Sequence, residues 1–158
     1  MSPRTVPLAV ATALAALALP GSAQALIQVD RGIAGARLTN TQAEVRAALG
    51  RPASIRRGRN IFGPTLTFRY RGGITVFFQG RRRVTAVSTT GRGDRTRRNV
   101  GVGSSEQAVR NRVGGVRCET IAGTRSCHTN EFEAGRRVTD FVIRNGRVTR
   151  VTVAFVID

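Results

Sequence analysis

The amino-acid sequence predicts an α+β fold in which two tandem units, each a short helix followed by an antiparallel β-meander, form one continuous or adjoining sheet with the helices on one face. Three observations predict it. The chain repeats itself at a fixed spacing, each repeat opens with a capped helix pattern, and β-branched runs separated by turn residues follow each helix. Without the first 25 residues, the remaining 133 of the 158 residues have room for one compact domain or two very small modules that share a core.

The first 25 residues have the pattern of a secretory signal peptide. Arg4 precedes the apolar run from Leu8 to Leu19, and Ala23-Gln24-Ala25 is a small-x-small cleavage site. The run is shorter than the roughly 20 apolar residues that span a bilayer. We therefore expect cleavage after Ala25 and a soluble chain that is secreted, periplasmic or otherwise extracytoplasmic.

An internal repeat divides the rest of the chain into a first unit (26–90), a linker (91–101) and a second unit (102–158). A gapless shift of 64 residues pairs eleven identical residues, where roughly four would be expected by chance. They are Val45 with Val109, Arg46 with Arg110, Gly50 with Gly114, Thr65 with Thr129, Phe68 with Phe132, Thr75 with Thr139, Phe77 with Phe141, Arg83 with Arg147, Val84 with Val148, Thr85 with Thr149 and Val87 with Val151.

Each unit begins with a helix of about nine residues. Thr41 and Glu44 fit a capping box, and Gly50 can close the first helix in the left-handed conformation. In the second unit we expect Ser104 or Ser105 to cap the helix and Gly114 to end it. Helices this short are not stable alone, so both must pack on a sheet.

The predicted strands are TLTFRY, ITVFF and RVTAVSTT in the first unit, and GVRCETI, SCHTNEFE, RVTDFVIR and RVTRVTVAFVI in the second. Asn145-Gly146 supplies a two-residue hairpin turn. The Gly- and Arg-rich segment GRGDRTRRNVG between the units is expected to be an exposed linker. The phenylalanines expected in the core, because they recur at the repeat spacing, are Phe68, Phe77, Phe132 and Phe141.

The chain is strongly basic, and all 26 of its basic residues are arginine. After removal of the leader, 25 arginines and 9 acidic residues leave a net charge of +16. Such a surface attracts nucleic acid, anionic lipid or acidic wall polymer, although it could equally be a solvated face. With 5% aromatic residues, the chain is poorly suited to base stacking. The arginine clusters are Arg56-Arg57-Arg59, Arg81-Arg82-Arg83 and Arg92-Arg95-Arg97-Arg98.

Cys118 and Cys127 are the only cysteines, and an even pair in an exported chain predicts a disulfide. The bridge would join two arms of a hairpin across a loop of about 10 residues, worth on the order of 2–3 kcal/mol. Together with His128 the cysteines supply too few ligands for a metal site. We expect neither a metal nor a cofactor.

One cluster has the residue types of a catalytic site. His128 lies near Glu119, Glu131 and Glu133, and a Glu/His/Arg set is what a ribonuclease would use as base, acid and phosphate clamp. The simpler interpretation is a strand histidine beside a disulfide, and we expect no enzymatic activity. The tripeptide Arg92-Gly93-Asp94 matches an integrin-recognition motif and is interpreted as a chance match.

The arrangement of capped helix, glycine and antiparallel strands on either side of an Arg/Gly linker, with LTNTQAEVRAALGRP opening one unit and VGSSEQAVRNRVG the other, resembles the β-lactamase-inhibitory-protein-like architecture. The single unit is similar to the small domain of the SmpA/OmlA outer-membrane assembly lipoproteins. The resemblance covers about 37–155 and implies a curved sheet whose concave face grips a partner protein. The chain departs from these families in having no lipidated cysteine and no Trp, and the repeat equivalents of its cysteines are Ser54 and Gly63.

These features together predict an exported, non-catalytic protein-binding module that acts on an acidic partner, like an inhibitor or an envelope-assembly scaffold. The alternative is a basic envelope protein that binds acidic wall polymer, anionic lipid or nucleic acid. The residues expected to contact the partner or polyanion are Arg56, Arg57, Arg59, Arg81, Arg82, Arg83 and Tyr70.

Overall fold

The computed structural model describes residues 26–157, so the predicted leader and its cleavage site lie outside the described residues. Strands predominate, and there are two helices within this range. The elements in chain order are β1 (Ile27–Gln28), β2 (Gly32–Ile33), β3 (Ala36–Arg37), α1 (Gln42–Leu49), β4 (Ser54–Asn60), β5 (Gly63–Arg69), β6 (Ile74–Gln79), β7 (Arg83–Thr89), α2 (Glu106–Arg112), β8 (Val116–Ile121), β9 (Thr124–Thr129), β10 (Arg137–Arg144) and β11 (Arg147–Phe155).

The predicted antiparallel β-structure is confirmed. Eight strands form one sheet in the order β4-β5-β6-β7-β11-β10-β9-β8, and every neighbouring pair is antiparallel. The pairing of β7 with β11, which joins residues 86–89 to residues 151–154, makes the sheet continuous. The strands β4 and β8 are its two edges.

The core lies against one face of this sheet. Alternate residues of the strands point to that face because side chains in a strand alternate between the two sides. Each helix contributes a fully buried valine, Val45 from α1 and Val109 from α2. Full burial of a side chain of this size is worth about 1.5–3 kcal/mol. The largest fully buried side chains are Phe68, Phe78 and Phe141.

The helix starts agree with the predicted caps. The hydroxyl of Thr41 accepts from the amide of Glu44, whose carboxylate accepts from the amide of Thr41, which completes the capping box. Ser105 caps α2 by accepting from the amide of Ala108. At the C-terminal ends, Gly50 caps α1 with a positive φ of 76°, but its ψ of −157° differs from the predicted left-handed conformation. The helix α2 ends at Arg112 with Val113 as its C-cap, one residue before the predicted Gly114.

The sequence analysis missed a small sheet of three two-residue strands, β1 to β3. Strands this short have no readable periodicity. Asp30, which has a positive φ between β1 and β2, joins this sheet to the large one. Its amide donates to the Thr139 hydroxyl (2.6 Å), and its carboxylate accepts from the hydroxyls of Thr129 (2.5 Å) and Thr139 (2.8 Å). These bonds satisfy two buried threonines.

The prediction of an exposed linker at 91–101 is wrong for about half of its residues. Asp94, Thr96 and Val100 are buried, while Arg92 and the segment 97–99 are exposed. The segment is held in place because the carbonyl of Arg95 accepts from the amide of Ile27 at 2.8 Å and the buried Asp94 carboxylate accepts from the Thr89 hydroxyl.

The core prediction holds for Phe68 and Phe141 and is wrong for Phe77 and Phe132, which are 38% and 46% exposed. The turn between β6 and β7 has one residue more than the turn between β10 and β11, so the repeat spacing is 65 along β6 and β10. Val76 faces Val87 just as Phe141 faces Val151. Phe77 therefore points to the opposite face, because a slip of one residue reverses a strand's faces.

The two hairpins also share a bulge. Thr85 in β7 and Thr149 in β11 have no cross-strand partner, which shifts the register after Phe77 and Val142 respectively. The hydroxyl of Thr85 donates to the carbonyl of Phe77 (3.4 Å), and that of Thr149 donates to the carbonyl of Val142 (3.3 Å). The same irregularity therefore recurs 64 residues later.

None of the helices among the described residues is long and apolar enough to cross a membrane.

Candidate binding surface

The edge strand β4 is exposed along its whole length, from Ser54 to Asn60. Within the described residues, β5 is its single strand partner. An edge strand leaves alternate backbone amide and carbonyl groups unpaired, so it can accept a further strand. The pattern search missed β4 because its Arg and Gly residues show no apolar alternation.

Arginines project from both faces of β4. Arg57 lies opposite Leu66 and therefore on the core side, whereas Arg56 lies opposite Thr67 on the other side. Arg59 shares the core side with Arg57. None of the three forms an ion pair within residues 26–157.

A hydrogen-bond network brings a second arginine cluster to the same end of the sheet. Asn60 and Gln79 bond to each other through their side-chain amides (3.1 Å), and Gln79 also donates to the carbonyl of Phe62 (2.9 Å). The turn at 61–62 is therefore fixed beside the turn at 80–82, where Arg81 and Arg82 are exposed. We call Arg56, Arg57, Arg59, Arg81 and Arg82 the basic edge.

Exposed apolar side chains lie within the basic edge. Ile61 is 92% exposed, Phe62 is 45% exposed and Ile55 is 41% exposed. An arginine-rich rim around apolar side chains is typical of surfaces that contact proteins.

Two residues of the predicted contact set are not included in the basic edge. Arg83 donates to the carbonyl of Thr39 (3.1 Å) and so supports the start of α1. Tyr70 follows the far end of β5, roughly 20 Å from the turn at 61–62 at 3.3 Å per residue. Its buried hydroxyl has no hydrogen-bond partner among the described residues, and burial raises its pKa.

The face of the large sheet that points away from the core is polar and partly exposed. Cross-strand pairing forms one row of residues across six strands, from β5 to β9. In order they are Arg69, Thr75, Ser88, Thr152, Asp140 and His128. Phe77 lies in the next row, opposite Thr67.

The predicted His128 cluster is assembled only in part. The Nε2 atom of His128 lies 2.7 Å from a Glu119 carboxylate oxygen, and Nδ1 lies 2.8 Å from the Asn130 carbonyl oxygen. Both ring nitrogens thus face acceptors, and the ring is 1% exposed. Glu131 instead pairs with Arg117, and Glu133 with Arg136. No ring nitrogen of His128 is left to face a substrate.

Asp140 lies beside His128 in the same row. Burial raises the pKa of Asp140, while Ser126 and His128 oppose the rise. One of its carboxylate oxygens is buried without a hydrogen-bond partner within the described residues.

The other edge strand of the sheet, β8, is also largely exposed, and a disulfide links it to its partner β9. The predicted disulfide between Cys118 and Cys127 is present and joins directly opposed residues of β8 and β9. The cross-strand pair at the corresponding place of β4 and β5 is Ile55 with Phe68, not Ser54 with Gly63. Phe68 pairs with Val76 just as Cys127 pairs with Phe141.

Beside the disulfide, Glu106 at the start of α2 accepts from both Arg125 (2.5 Å) and Arg110 (2.8 Å). The hydrogen bonds from Arg125 and then Arg110 lower the pKa of Glu106 to about 2. The carboxylate lies near both cysteine sulfurs. Because those sulfurs are bonded to each other, they are not available as metal ligands.

The tripeptide Arg92-Gly93-Asp94 is not displayed as a recognition loop. Asp94 is buried and bonded to Thr89, so the carboxylate that would have to face a receptor points into the protein.

Comparison with known proteins shows a similarity of fold and does not assign the chain to a family. No family model matches the chain, and the search of curated proteins gave no match. An extracellular protein of Bacillus anthracis that contains an SCP domain matches with a TM-score of 0.52 at 7% identity, covering 91% of this chain and 50% of that one.

Two further solved structures match with lower TM-scores. The DUF4309 family protein YjgB of Bacillus subtilis matches at 0.46 with 20% identity, covering 73% of this chain and 78% of its own. A cysteine-rich secretory protein of Staphylococcus aureus, SAV1118, matches at 0.46 with 9% identity, covering 75% of this chain and 44% of its own.

Proposed function

We propose that this chain is an exported, non-catalytic protein-binding module whose basic edge holds an acidic, extended segment of a partner protein. The observation that carries the proposal is the contrast between the two edges of one sheet. Both edge strands are largely exposed. The charged side chains of β8, Arg117 and Glu119, have partners in Glu131 and His128. The three arginines of β4 form no ion pair within residues 26–157.

Strand addition is the binding mode that fits β4. A partner strand would pair with the free backbone groups of β4, and its acidic side chains would meet arginines on both faces. Arginine suits this role because its planar group bonds carboxylates bidentately. A second copy of β4 is a poor partner, because like charges would then face each other.

The local charge supports an acidic partner. Between Glu44 and Asp94 the sequence contains eleven arginines and no acidic residue. A partner approaching the basic edge therefore meets a field of one sign, which speeds association with acidic surfaces.

We also propose that the sheet is built from two tandem units, each a helix followed by four strands, with both helices on the core face. Repeated contacts support it. The amides of Thr39 and Gly103 donate to the carbonyls of Val84 and Val148, each 64 residues apart. Arg46 of α1 stacks on Phe68, and Glu106 of α2 binds Arg125, both on that face. This architecture is what the resemblance to β-lactamase-inhibitory-protein-like scaffolds implies.

Export is part of the proposal and rests on two features. The signal-peptide pattern occupies residues 1–25, and the disulfide is of a kind that persists in oxidising compartments.

The test is a pull-down from envelope and extracellular extract at about 0.15 and 0.5 M salt, with and without protease treatment of the extract. At about 0.5 M salt the Debye length is short enough to screen exposed charge contacts. We expect a retained protein that protease treatment abolishes. The paired substitution Arg57→Ala/Arg59→Ala should remove this retention. Arg71→Ala/Arg144→Ala should not, although it makes the same charge change at an exposed turn residue and at the exposed last residue of β10.

Amide hydrogen exchange adds a test of the binding mode. Strand addition should slow exchange along Ser54–Asn60 when the partner is bound. Unchanged exchange there, with retention intact, would place the partner elsewhere on the protein.

The second candidate function is polyanion binding, favoured by the same eleven arginines without an acid. It predicts retention that disappears at about 0.5 M salt, ignores protease and falls equally in both double variants.

A further inference from the structure

A cavity of about 490 Å³ lies where three segments that are distant in the chain meet. Its walls come from the first residues of the described chain, from the segment 96–98 and from the end of α2. This size lies within the range of about 300–1,000 Å³ that is usual for small-molecule sites.

Four arginines line the cavity: Arg31, Arg97, Arg98 and Arg112. No acidic residue is among the lining residues, and none of the four forms an ion pair within residues 26–157. Four like charges around one concave surface repel each other, and their field is focused into the cavity. An anion bound there would relieve that repulsion.

The rest of the wall is largely apolar. Ile27 and Val113 are buried, and Leu26 and Val29 are partly exposed at the cavity. A site that combines apolar walls with a few convergent polar groups selects a ligand that has both characters. An extended polyanion, which has no apolar part, would leave this wall unused.

We propose that this cavity binds a small organic anion, a phosphate or carboxylate group on a compact apolar body. Guanidinium groups bond either head group bidentately, and the apolar body would cover the wall formed around Val113. The site is separate from the basic edge and does not depend on the proposed protein-binding function.

Hexyl phosphate is the first probe, measured by isothermal titration on the exported protein recovered from cells that express the full chain. We expect hexyl phosphate to bind at least tenfold tighter than either inorganic phosphate or hexanol. Equal affinity for inorganic phosphate and hexyl phosphate would overturn the proposal, because the apolar wall would then contribute nothing.

Charge-matched variants locate the site. The double substitution Arg98→Ala/Arg112→Ala should weaken hexyl phosphate binding at least tenfold, while Arg71→Ala/Arg144→Ala should change it less than twofold. Equal weakening in both would mean attraction to the overall charge rather than a site, and would also overturn the proposal.

A variant that obstructs the cavity and keeps its arginines tests the shape of the site separately from its charge. Gly114 lines the cavity, has no atom within 4 Å of an added Cβ and does not have a positive φ. Gly114→Leu should therefore fold and obstruct the cavity, reducing affinity at least fivefold with all four arginines present. Gly93→Leu, an equally open position outside the cavity, is the control. Full affinity in Gly114→Leu would contradict the cavity as the binding site.

A second experiment distinguishes a lipid head group from a free organic anion as the ligand. Vesicles of phosphatidic acid in phosphatidylcholine that bind the protein and are displaced by hexyl phosphate would identify a lipid head group. Hexyl phosphate affinity without vesicle binding would identify a free organic anion. Both results support the cavity as a site.

Discussion

The two halves of the chain that forms the large sheet differ in how their charges are arranged. The first half, α1 with β4–β7, contains ten arginines and one glutamate, whereas the second, α2 with β8–β11, contains nine arginines and five acidic residues. All ion pairs among residues 26–157 fall in the second half, and so does the disulfide.

This difference shows that the arginines of the two halves make different contacts. In the second half, Arg117 and Arg125 are bonded to carboxylates of the same half, so part of the charge is used internally. In the first half the sequence offers no carboxylate beyond Glu44, which belongs to the α1 cap. An anionic partner must come from outside if the basic edge is to be neutralised.

The largest expected effect tests the register that relates the halves. Phe68→Ala and Phe141→Ala should each lower the free energy of unfolding by about 3–5 kcal/mol, because each removes a fully buried ring. Phe77→Ala should cost less than about 1 kcal/mol, since the side chain is 38% exposed. Urea denaturation measures all three. A loss at Phe77 equal to that at Phe141 would contradict the one-residue offset between β6 and β10.

The second prediction concerns the disulfide, which belongs to the second half alone. Cys118→Ala/Cys127→Ala should destabilise the protein by about 2–3 kcal/mol, from the loop entropy that the bridge removes from the unfolded chain. Wild type unfolded in reductant is the matched control and should lose a similar amount. If neither loses stability, the disulfide does not stabilise the second half.

The third effect compares the two helix starts. Thr41→Ala and Ser105→Ala should each cost about 1 kcal/mol, because each leaves an amide of the first turn without its acceptor. Thermal unfolding of each variant measures the loss, and Thr41→Ser, which keeps the hydroxyl, should remain near wild type. A cost confined to one helix would show that the caps are not equivalent.

The smallest effect is the pH dependence of the ion pairs in the second half. The folded-state pKa of Glu106 is lowered to about 2, so its contribution is complete above the unfolded value near 4.5 and is lost as pH falls toward 2. Glu106→Gln should lose less stability than wild type between pH 5 and 2. The difference should not exceed about 1 kcal/mol, because the pair is partly exposed.

Denaturant titrations at several pH values check this, with Glu133→Gln as the control. Glu133 also pairs with an arginine, but both side chains are about 60% exposed, so this pair should contribute little to stability. A profile of Glu106→Gln identical to wild type would mean that the contacts with Arg110 and Arg125 do not stabilise the fold.

Sequence reasoning succeeded where the signal is local. The caps at Thr41 and Ser105 depend on residues three positions apart, and both are present. The prediction of a core side chain failed at Phe77, because a comparison without gaps does not account for the extra residue in the turn after β6. Sequence reasoning also failed at β4, whose exposed arginines have no apolar alternation to mark a strand.

The sequence by itself determined the antiparallel strands, the two capped helices, the cysteine pair and the excess of arginine, because each depends on composition or on neighbouring residues. Only the tertiary structure decided which arginines meet. It places Arg59 beside the turn of Arg81 and Arg82, and it surrounds one cavity with Arg31, Arg98 and Arg112. The physical reason is that pairing between strands, and packing of segments distant in the chain, set these distances, and no spacing along the sequence encodes them.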